Sequence, residues 1–144
     1  MRYYIGFDDT DTLDADRGTG KLARWFESCL PAHLHFLGAV RQQLPRLPEI
    51  PYTSHNSAAC VMVAGPDATD DICGKLVDLA SAHIADHFLP GSDPGLCVAA
   101  REPAIQPAFF DFAQRCTHAV VSQEAARTAA RHMHLSDHGG SGDG

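Results

Sequence analysis

Several features that would place the chain in a specialised class are missing from its 144 residues. No apolar run approaches the roughly 18 residues of a transmembrane helix, and residues 1–4 (M-R-Y-Y) are typical of a strand rather than of a signal peptide. The five cysteines include no C-x-x-C pair, so the sequence indicates neither a zinc ribbon nor a disulfide framework. Four of them lie in apolar stretches, as buried reduced thiols do. We therefore expect a cytoplasmic protein that has no membrane partner and is not secreted.

Basic residues are also few, with 11 Lys and Arg against 18 Asp and Glu and a net charge of −7. The acidity is local, because five aspartates fall close together near the N-terminus, at Asp8, Asp9, Asp11, Asp14 and Asp16. Without these five carboxylates the net charge would be −2. A general nucleic-acid surface needs a basic stripe, which this chain lacks. The charge pattern instead favours one site that binds a cation.

The length and the 44% hydrophobic content fit one globular domain with a substantial core. Hydrophobic periodicity predicts strands at 3–7, 33–40, 59–64 and 96–100, and helices at 22–30, 72–88, 109–116 and 122–134. The first six elements follow the order of a ferredoxin-like βαββαβ unit. We expect an α+β fold with a mainly antiparallel four-stranded sheet, two helices on one face and two C-terminal helices. The large aromatic residues expected in the core are Trp25, Phe109, Phe110 and Phe112.

Residues 1–135 are expected to form this single domain, and residues 136–144 a glycine-rich tail. The tail has the composition of the first part of a phosphate-binding loop, in which glycine backbone approaches the anion closely.

The strongest functional pattern is I-G-F-D-D-T-D-T at 5–12, where three carboxylates follow a predicted strand. Asp8, Asp9 and Asp11 repel one another, and bound Mg²⁺ removes that cost, because it takes a few carboxylates together with substrate phosphates. A turn or a helix cap explains any one of these aspartates. The three together favour a metal or catalytic site. We predict that Asp8, Asp9 and Asp11 bind Mg²⁺ and are catalytic.

A glycine turn, R-G-T-G-K at 17–21, comes directly before the first predicted helix. The backbone at Gly18 and Gly20 can approach a phosphate, with which Lys21 can pair. The turn is not a Walker A loop, which would need glycine at Ala15 and a hydroxyl at Leu22. A tight turn with a solvated lysine explains it equally well in isolation. Its closeness to the aspartates favours phosphate binding.

Five segments occur in a characteristic order: Y-I-G-F-D-D-T-D-T (4–12), the glycine turn, L-P-E-I-P-Y-T-S-H-N-S-A-A-C-V (47–61), D-P-G-L-C-V (93–98) and H-G-G-S-G-D-G (138–144). Over nearly its whole length the chain thereby resembles the N-terminal half of archaeal agmatidine synthetases. These enzymes use ATP to couple agmatine to the anticodon cytidine of an isoleucine tRNA. The resemblance implies an ATP-consuming, kinase-like domain in which Asp8, Asp9 and Asp11 match the family's aspartate motif. The residues then expected to contact ATP are Thr10, Gly18, Thr19, Gly20, Lys21, Asn56, Gly139, Gly140 and Gly142.

The chain also departs from the family. It has no counterpart of the OB-fold and zinc ribbon that hold the tRNA. The family tends to have Lys and Arg around the position of Asn56, where this chain has Y-T-S-H at 52–55, and a hydroxyl or small residue where Lys21 stands. The resemblance therefore implies ATP and Mg²⁺ more directly than it implies tRNA, which the negative charge also disfavours as a partner. A homodimer or a partner chain stays open.

The leading hypothesis is a Mg²⁺/ATP-dependent domain that transfers a phosphoryl group or activates an unidentified acceptor. The alternatives are a non-catalytic nucleotide- or metal-binding module acting with a partner chain, and an RNA-modifying enzyme whose tRNA-binding parts are supplied in trans. A haloacid-dehalogenase-type D-x-D, with Asp9 as nucleophile and Asp11 as acid/base, would need glycine at Thr12 and a parallel sheet. A transition-metal site at His132, His134 and His138 is disfavoured, because two of them are placed at the end of a predicted helix.

Overall fold

The computed structural model describes residues 1–10, 18–49, 57–100 and 106–139. The strands are β1 (Arg2–Asp8), β2 (His35–Gln43), β3 (Ser57–Ala64), β4 (Gly95–Ala100) and β5 (His134–Asp137). The helices are α1 (Thr19–Trp25), α2 (Thr69–His87), α3 (Pro107–Cys116) and α4 (Gln123–Ala129), and α1 continues into a 3₁₀ turn at Phe26–Cys29.

The five strands form one sheet in the order β2-β3-β1-β4-β5, and every neighbouring pair is antiparallel. The end of β1 lies in the middle of one sheet edge, because Asp8 pairs with Ala58 at the start of β3 and with Gly95 at the start of β4. At the same edge, Gly95 pairs with Asp137 at the end of β5. The ends of β1 and β5 and the starts of β3 and β4 therefore lie together at this edge.

The core lies between one face of the sheet and the helices α1 and α2. In β1 the alternation of the sequence places Tyr3, Ile5 and Phe7 on the buried face. In α2 the buried positions include Leu76 and Ala80, four residues apart, so that one stripe of the helix faces the sheet. This packing fixes where β1 ends and α1 begins, which are the two segments that carry the predicted site.

The α+β class expected from the sequence is confirmed, together with the two C-terminal helices. The sheet has five strands rather than the four expected, because β5 was not predicted. The fourth helix ends at Ala129 and not near His134, which instead begins β5. A strand of four residues is too short for an alternating pattern to be recognised, and pairing with β4 decides its conformation.

The expectation that the large aromatic residues lie in the core is wrong for two of them. Trp25 is 39% exposed and Phe110 is 61% exposed. Phe110 belongs to α3, which buries none of its residues in the structure. The helical spacing of the aromatic residues was read correctly, but spacing alone does not tell whether another element covers the apolar face. No helix in the described ranges is long and apolar enough to cross a membrane.

Candidate active site

The predicted site begins where β1 ends. Asp8 is the last residue of β1, and Asp9 follows it with a φ of 48°. This left-handed conformation is uncommon outside glycine, although Asp and Asn adopt it more readily than other residues. The backbone N–H of Asp9 donates to the Asp8 carboxylate across 2.9 Å. The chain therefore turns sharply between the two aspartates, and such unusual backbone is concentrated at functional sites.

Backbone hydrogen bonds fix the segment after β1 to the connection that follows α2. The carbonyl of Asp9 accepts from the N–H of Asp93 at 3.2 Å, and the carbonyl of Thr10 accepts from the N–H of Leu89 at 3.0 Å. Both carbonyls are thus occupied by groups that are distant in sequence. Asp8 and Asp9 therefore lie on or next to backbone that is hydrogen-bonded to another segment of the chain.

Two threonines join the end of β1 to the start of α1. The Thr10 hydroxyl donates to the Thr19 hydroxyl at 3.0 Å, and the N–H of Thr10 donates to the same oxygen at 3.4 Å. Both residues are almost fully buried. Sequence reasoning grouped Thr10 and Thr19 with the ATP-contacting residues, and the structure places their hydroxyls against each other.

The glycine turn lies directly beside these threonines. Gly18 is the extended residue before α1, and its carbonyl accepts from the N–H groups of Lys21 and Leu22. The Lys21 side chain is exposed, with its Nζ 5.9 Å from the centre of the Trp25 ring. The predicted turn thus forms at the start of α1, and the Thr10–Thr19 pair holds it next to the aspartates.

Sequence reasoning missed Asp93, although it noted the segment D-P-G-L-C-V that begins there. Asp93 is buried, and its backbone N–H is the group that binds Asp9. A Cβ on Gly139 would overlap the Asp93 carboxylate, so only glycine fits at that position. The N–H of His138 donates to the Pro94 carbonyl at 2.8 Å, which holds the chain there. An acidic residue followed by proline and glycine before a strand was the available signal.

The face on which Asp8 lies follows from the alternation of β1. Phe7 points into the core, so Asp8 points to the opposite face of the sheet. Burial raises the pKa of the Cys116 thiol on α3; the charge of Arg115 opposes this shift, and the charge of Asp8 adds to it. The Asp8 carboxylate is therefore within electrostatic reach of α3.

Four of the predicted site residues lie outside the described parts of the chain: Asp11, Asn56, Gly140 and Gly142. Within residues 1–10, 18–49, 57–100 and 106–139, no three acidic, histidine or cysteine side chains lie close enough together to hold a metal ion. Asp8 and Asp9 supply two carboxylates, and Mg²⁺ is bound in many sites by one or two carboxylates together with substrate phosphates and water. The donor set therefore fits Mg²⁺ bound with a phosphate ligand.

The histidines considered for a transition metal are arranged differently from the expectation. His134 lies on β5, and Ser136 Oγ is 2.8 Å from both His134 Nε2 and His138 Nε2. Burial, together with the neighbouring His138, lowers the pKa of His134. The hydroxyl between the two rings is thus the hydrogen-bond partner of both Nε2 atoms.

In fold, the chain is similar to enzymes that act on tRNA. The structure of TiaS in complex with an isoleucine tRNA and ATP superposes with a TM-score of 0.78 at 25% sequence identity, covering 99% of this chain and 33% of that one. Apo TiaS, a tRNA agmatidine synthetase, gives 0.72 at 25% identity, covering 100% and 33%. A tRNA fluorescent labeling enzyme gives 0.71 at 26% identity, covering 96% and 32%.

The resemblance to agmatidine synthetase that the sequence motifs indicated is thus confirmed in three dimensions. The chain spans about a third of the length of these related structures. No protein-family model and no curated protein matches it.

Proposed function

We propose that the chain is a Mg²⁺/ATP-dependent domain that activates a substrate, or transfers a phosphoryl group to it, in the modification of tRNA. The carrying observation is the turn from Asp8 to Asp9, which Asp93 holds from the side and which lies beside the glycine turn. This turn occurs in a fold similar to that of TiaS, which was crystallised with an isoleucine tRNA and ATP. Phosphoryl transfer uses carboxylates that hold the metal ion and backbone groups that can come close to the phosphates.

Each candidate residue has a role in this proposal. Asp8, Asp9 and Asp11 hold Mg²⁺ and position the attacking oxygen. Thr10 and Thr19, whose buried hydroxyls bind each other, hold the start of α1 beside the aspartates and are also proposed to contact ATP. The residues that contact the phosphates of ATP are Gly18, Gly20, Lys21 and Asn56, with Gly139, Gly140 and Gly142 as a second wall.

Positioning and charge neutralisation supply most of the rate in this chemistry. Bound Mg²⁺ neutralises phosphate charge. The protein's own contribution is a rigid frame: the two carbonyls after β1 are bonded to Asp93 and Leu89, and the Thr10–Thr19 pair fixes α1 beside them. Groups held in place before the ligand arrives lose little conformational freedom during the reaction.

The proposal does not include tight binding of tRNA by this chain alone. The net charge of −7 offers few phosphate contacts, so affinity for RNA should be weak at physiological salt. The tRNA-contacting parts would then lie outside these 144 residues. The negative charge therefore disfavours RNA binding by this chain but does not affect the proposal of an ATP-dependent step.

Calorimetry with ATP, with Mg²⁺ and then with excess EDTA, tests the metal-dependent part. We expect binding only when Mg²⁺ or Mn²⁺ is present, and equal binding in EDTA would contradict the Mg²⁺ assignment. ATP turnover, measured on the same protein with agmatine and an isoleucine tRNA, distinguishes an enzyme from a module that only binds nucleotide. Binding without any turnover would favour the module acting with a partner chain.

A further inference from the structure

Two arginines outside the predicted site converge on the glycine turn. A Cβ placed on Gly20 would lie 3.7 Å from Arg24 Nη1 and 3.9 Å from Arg41 Cδ. The side chain of Arg24, one turn further along α1, therefore extends back towards Gly20. The side chain of Arg41 extends towards Gly20 from β2. Neither was singled out by sequence reasoning, since one lies in an amphipathic helix and the other in a strand.

Arg41 is held in this orientation by β3. Its Nε donates to Ser57 Oγ at 3.0 Å, and this bond leaves both terminal nitrogens of the guanidinium for another ligand. Arg41 pairs in register with Ala59, whose side chain is buried against the helices, so Arg41 lies on the face of the sheet that carries α1. The strand thus brings the Arg41 side chain to Gly20, with Cδ as the neighbouring atom.

Within the described residues, neither Arg24 nor Arg41 forms an ion pair with a carboxylate. Arg24 Nη1 and the Arg41 side chain both lie beside Gly20, and an anion bound between two neighbouring guanidinium groups would offset their mutual repulsion. Both side chains are exposed, so such an anion has free access from solvent. A planar guanidinium binds phosphate oxygens through two parallel hydrogen bonds, which a lysine does not provide.

The position relative to the aspartates fits a phosphate of the same substrate complex. Asp8 pairs with Ala58, and Ala58 pairs with Gln42, the neighbour of Arg41. Two strand spacings place the backbones of Asp8 and Arg41 about 10 Å apart at one edge of the sheet. Because Arg41 lies on the face that carries α1 and Asp8 points to the opposite face, the two residues would contact a substrate from opposite sides of this edge.

We infer that Arg24 and Arg41, with Ser57 as a positioning residue, form a phosphate-binding subsite at Gly20 for a substrate of the proposed reaction. The phosphate belongs either to the nucleotide or to an RNA strand, which present the same chemistry. The existence of the subsite does not depend on Mg²⁺ or on the aspartates. Only the identity of the phosphate rests on the proposed function.

Calorimetry with tripolyphosphate in EDTA tests the subsite without the metal. We expect wild-type protein to bind it, and Arg24→Gln and Arg41→Gln each to weaken binding about tenfold. Ser57→Ala should weaken binding less, and Arg41→Lys should not restore it, because a lysine keeps the charge but loses the paired geometry. Arg127→Gln on α4 removes the same charge at another place and should leave the affinity unchanged. Equal affinity in wild type and the double variant would overturn the inference.

Two further titrations identify the source of the phosphate. If Arg24→Gln/Arg41→Gln weakens Mg²⁺–ATP binding, the subsite holds a nucleotide phosphate. If instead a single-stranded oligoribonucleotide loses affinity, and its salt dependence falls by about 0.7 per arginine removed, the subsite holds the RNA backbone. Loss of Mg²⁺–ATP binding in Asp9→Asn alone reports on the proposed function, so failure of one proposal is distinguishable from failure of the other. An effect on neither ligand would overturn the inference.

Discussion

The hydroxyl of Thr10 donates to the hydroxyl of Thr19 across 3.0 Å, and this bond joins the last turn of the aspartate segment to the first residue of α1. Both side chains are buried, so neither hydroxyl has water as an alternative partner. The pair joins the two residues that flank the segment containing the remaining predicted carboxylate, Asp11. This hydrogen bond therefore helps to keep the residues after β1 next to the start of α1.

Thr19→Val should therefore destabilise the protein by about 1–3 kcal/mol, because it leaves buried groups of Thr10 without their partner. The double variant Thr10→Val/Thr19→Val should cost less than the sum of the single variants, since an apolar pair leaves no orphaned hydroxyl. Urea unfolding of the four proteins gives this coupling. Thr128→Val, on the exposed side of α4, serves as the control and should change stability by no more than about 0.5 kcal/mol. Simple additivity would show that the two hydroxyls are not coupled.

The aspartates should promote ligand binding and lower the stability of the ligand-free protein. Asp9→Asn keeps a residue type that tolerates the left-handed conformation, and both Asp9→Asn and Asp11→Asn remove a repelling charge. We expect an unchanged or higher Tm without ligand. Saturating Mg²⁺–ATP at about a hundred times Kd should stabilise the wild type by roughly 2.7 kcal/mol, and the variants should lose this shift.

Melting curves with and without Mg²⁺–ATP make this comparison. Asp70→Asn at the start of α2 is the matched control, because it removes the same charge away from the loop and should keep the full ligand shift. Variants of Asp9 and Asp11 that also keep the full shift would leave these carboxylates with a structural role only.

Two glycines should respond to alanine in opposite directions. Gly139→Ala drives a Cβ into the Asp93 carboxylate, so we expect a loss of about 1–3 kcal/mol and weaker Mg²⁺–ATP binding. Gly74→Ala on α2 meets no atom within 4 Å and should stabilise the helix by up to about 1 kcal/mol. Thermal melting measures both. A harmless Gly139→Ala would mean that the chain after β5 does not stay packed on Asp93 in solution.

Stability should fall as the pH drops below about 6.5. The side chain of His83 is buried, its Nε2 donates to the Leu22 carbonyl at 2.7 Å, and Cys29 Sγ lies 3.5 Å from its Nδ1. Burial is the main cause that lowers the pKa of His83, with a further contribution from the neighbouring His87, while the bond to Leu22 and the charge of Asp86 act against it. The unfolded chain therefore takes up its proton at a higher pH than the folded protein does.

The contribution of His83 is fully present above the pKa of the unfolded state and is lost as the pH falls below it, by at most about 1.4 kcal/mol per pH unit. Urea midpoints between about pH 7.5 and 5.5 measure this slope. His83→Gln keeps a donor towards Leu22 and should flatten it. An unchanged slope in His83→Gln would assign the pH dependence to other groups, of which His134 is one.

The sequence alone was sufficient for those parts of the fold in which local pattern and burial agree. The β-rich run in β1 and the helical spacing of apolar residues in α2 predicted both elements. Asp8, Asp9 and the glycine turn were found because they are close together in the sequence. Arg41 reaches the same sheet edge only through strand pairing, so no local pattern indicated it. Gly139 was predicted from its glycine-rich segment, but its contact with Asp93 depends on the pairing of β5 with β4. Trp25 shows the converse, since helical spacing predicted a core position, whereas its ring is partly exposed and lies 5.5 Å from the ring of His87 at the end of α2.

The hydrogen bonds from Asp93 to Asp9 and from Leu89 to Thr10 also set the order of events during synthesis. These pairs are far apart in the sequence, and contacts of that kind form late in folding because a long loop must first be closed. The turn at Asp9 therefore takes its shape only when the segment leading into β4 has left the ribosome and paired beside β1. A nascent chain that ends after β3 contains Asp8 and Asp9 but lacks Leu89 and Asp93, which bind this segment in the complete fold. If the proposed ATP-dependent activity is correct, unfinished chains would lack it.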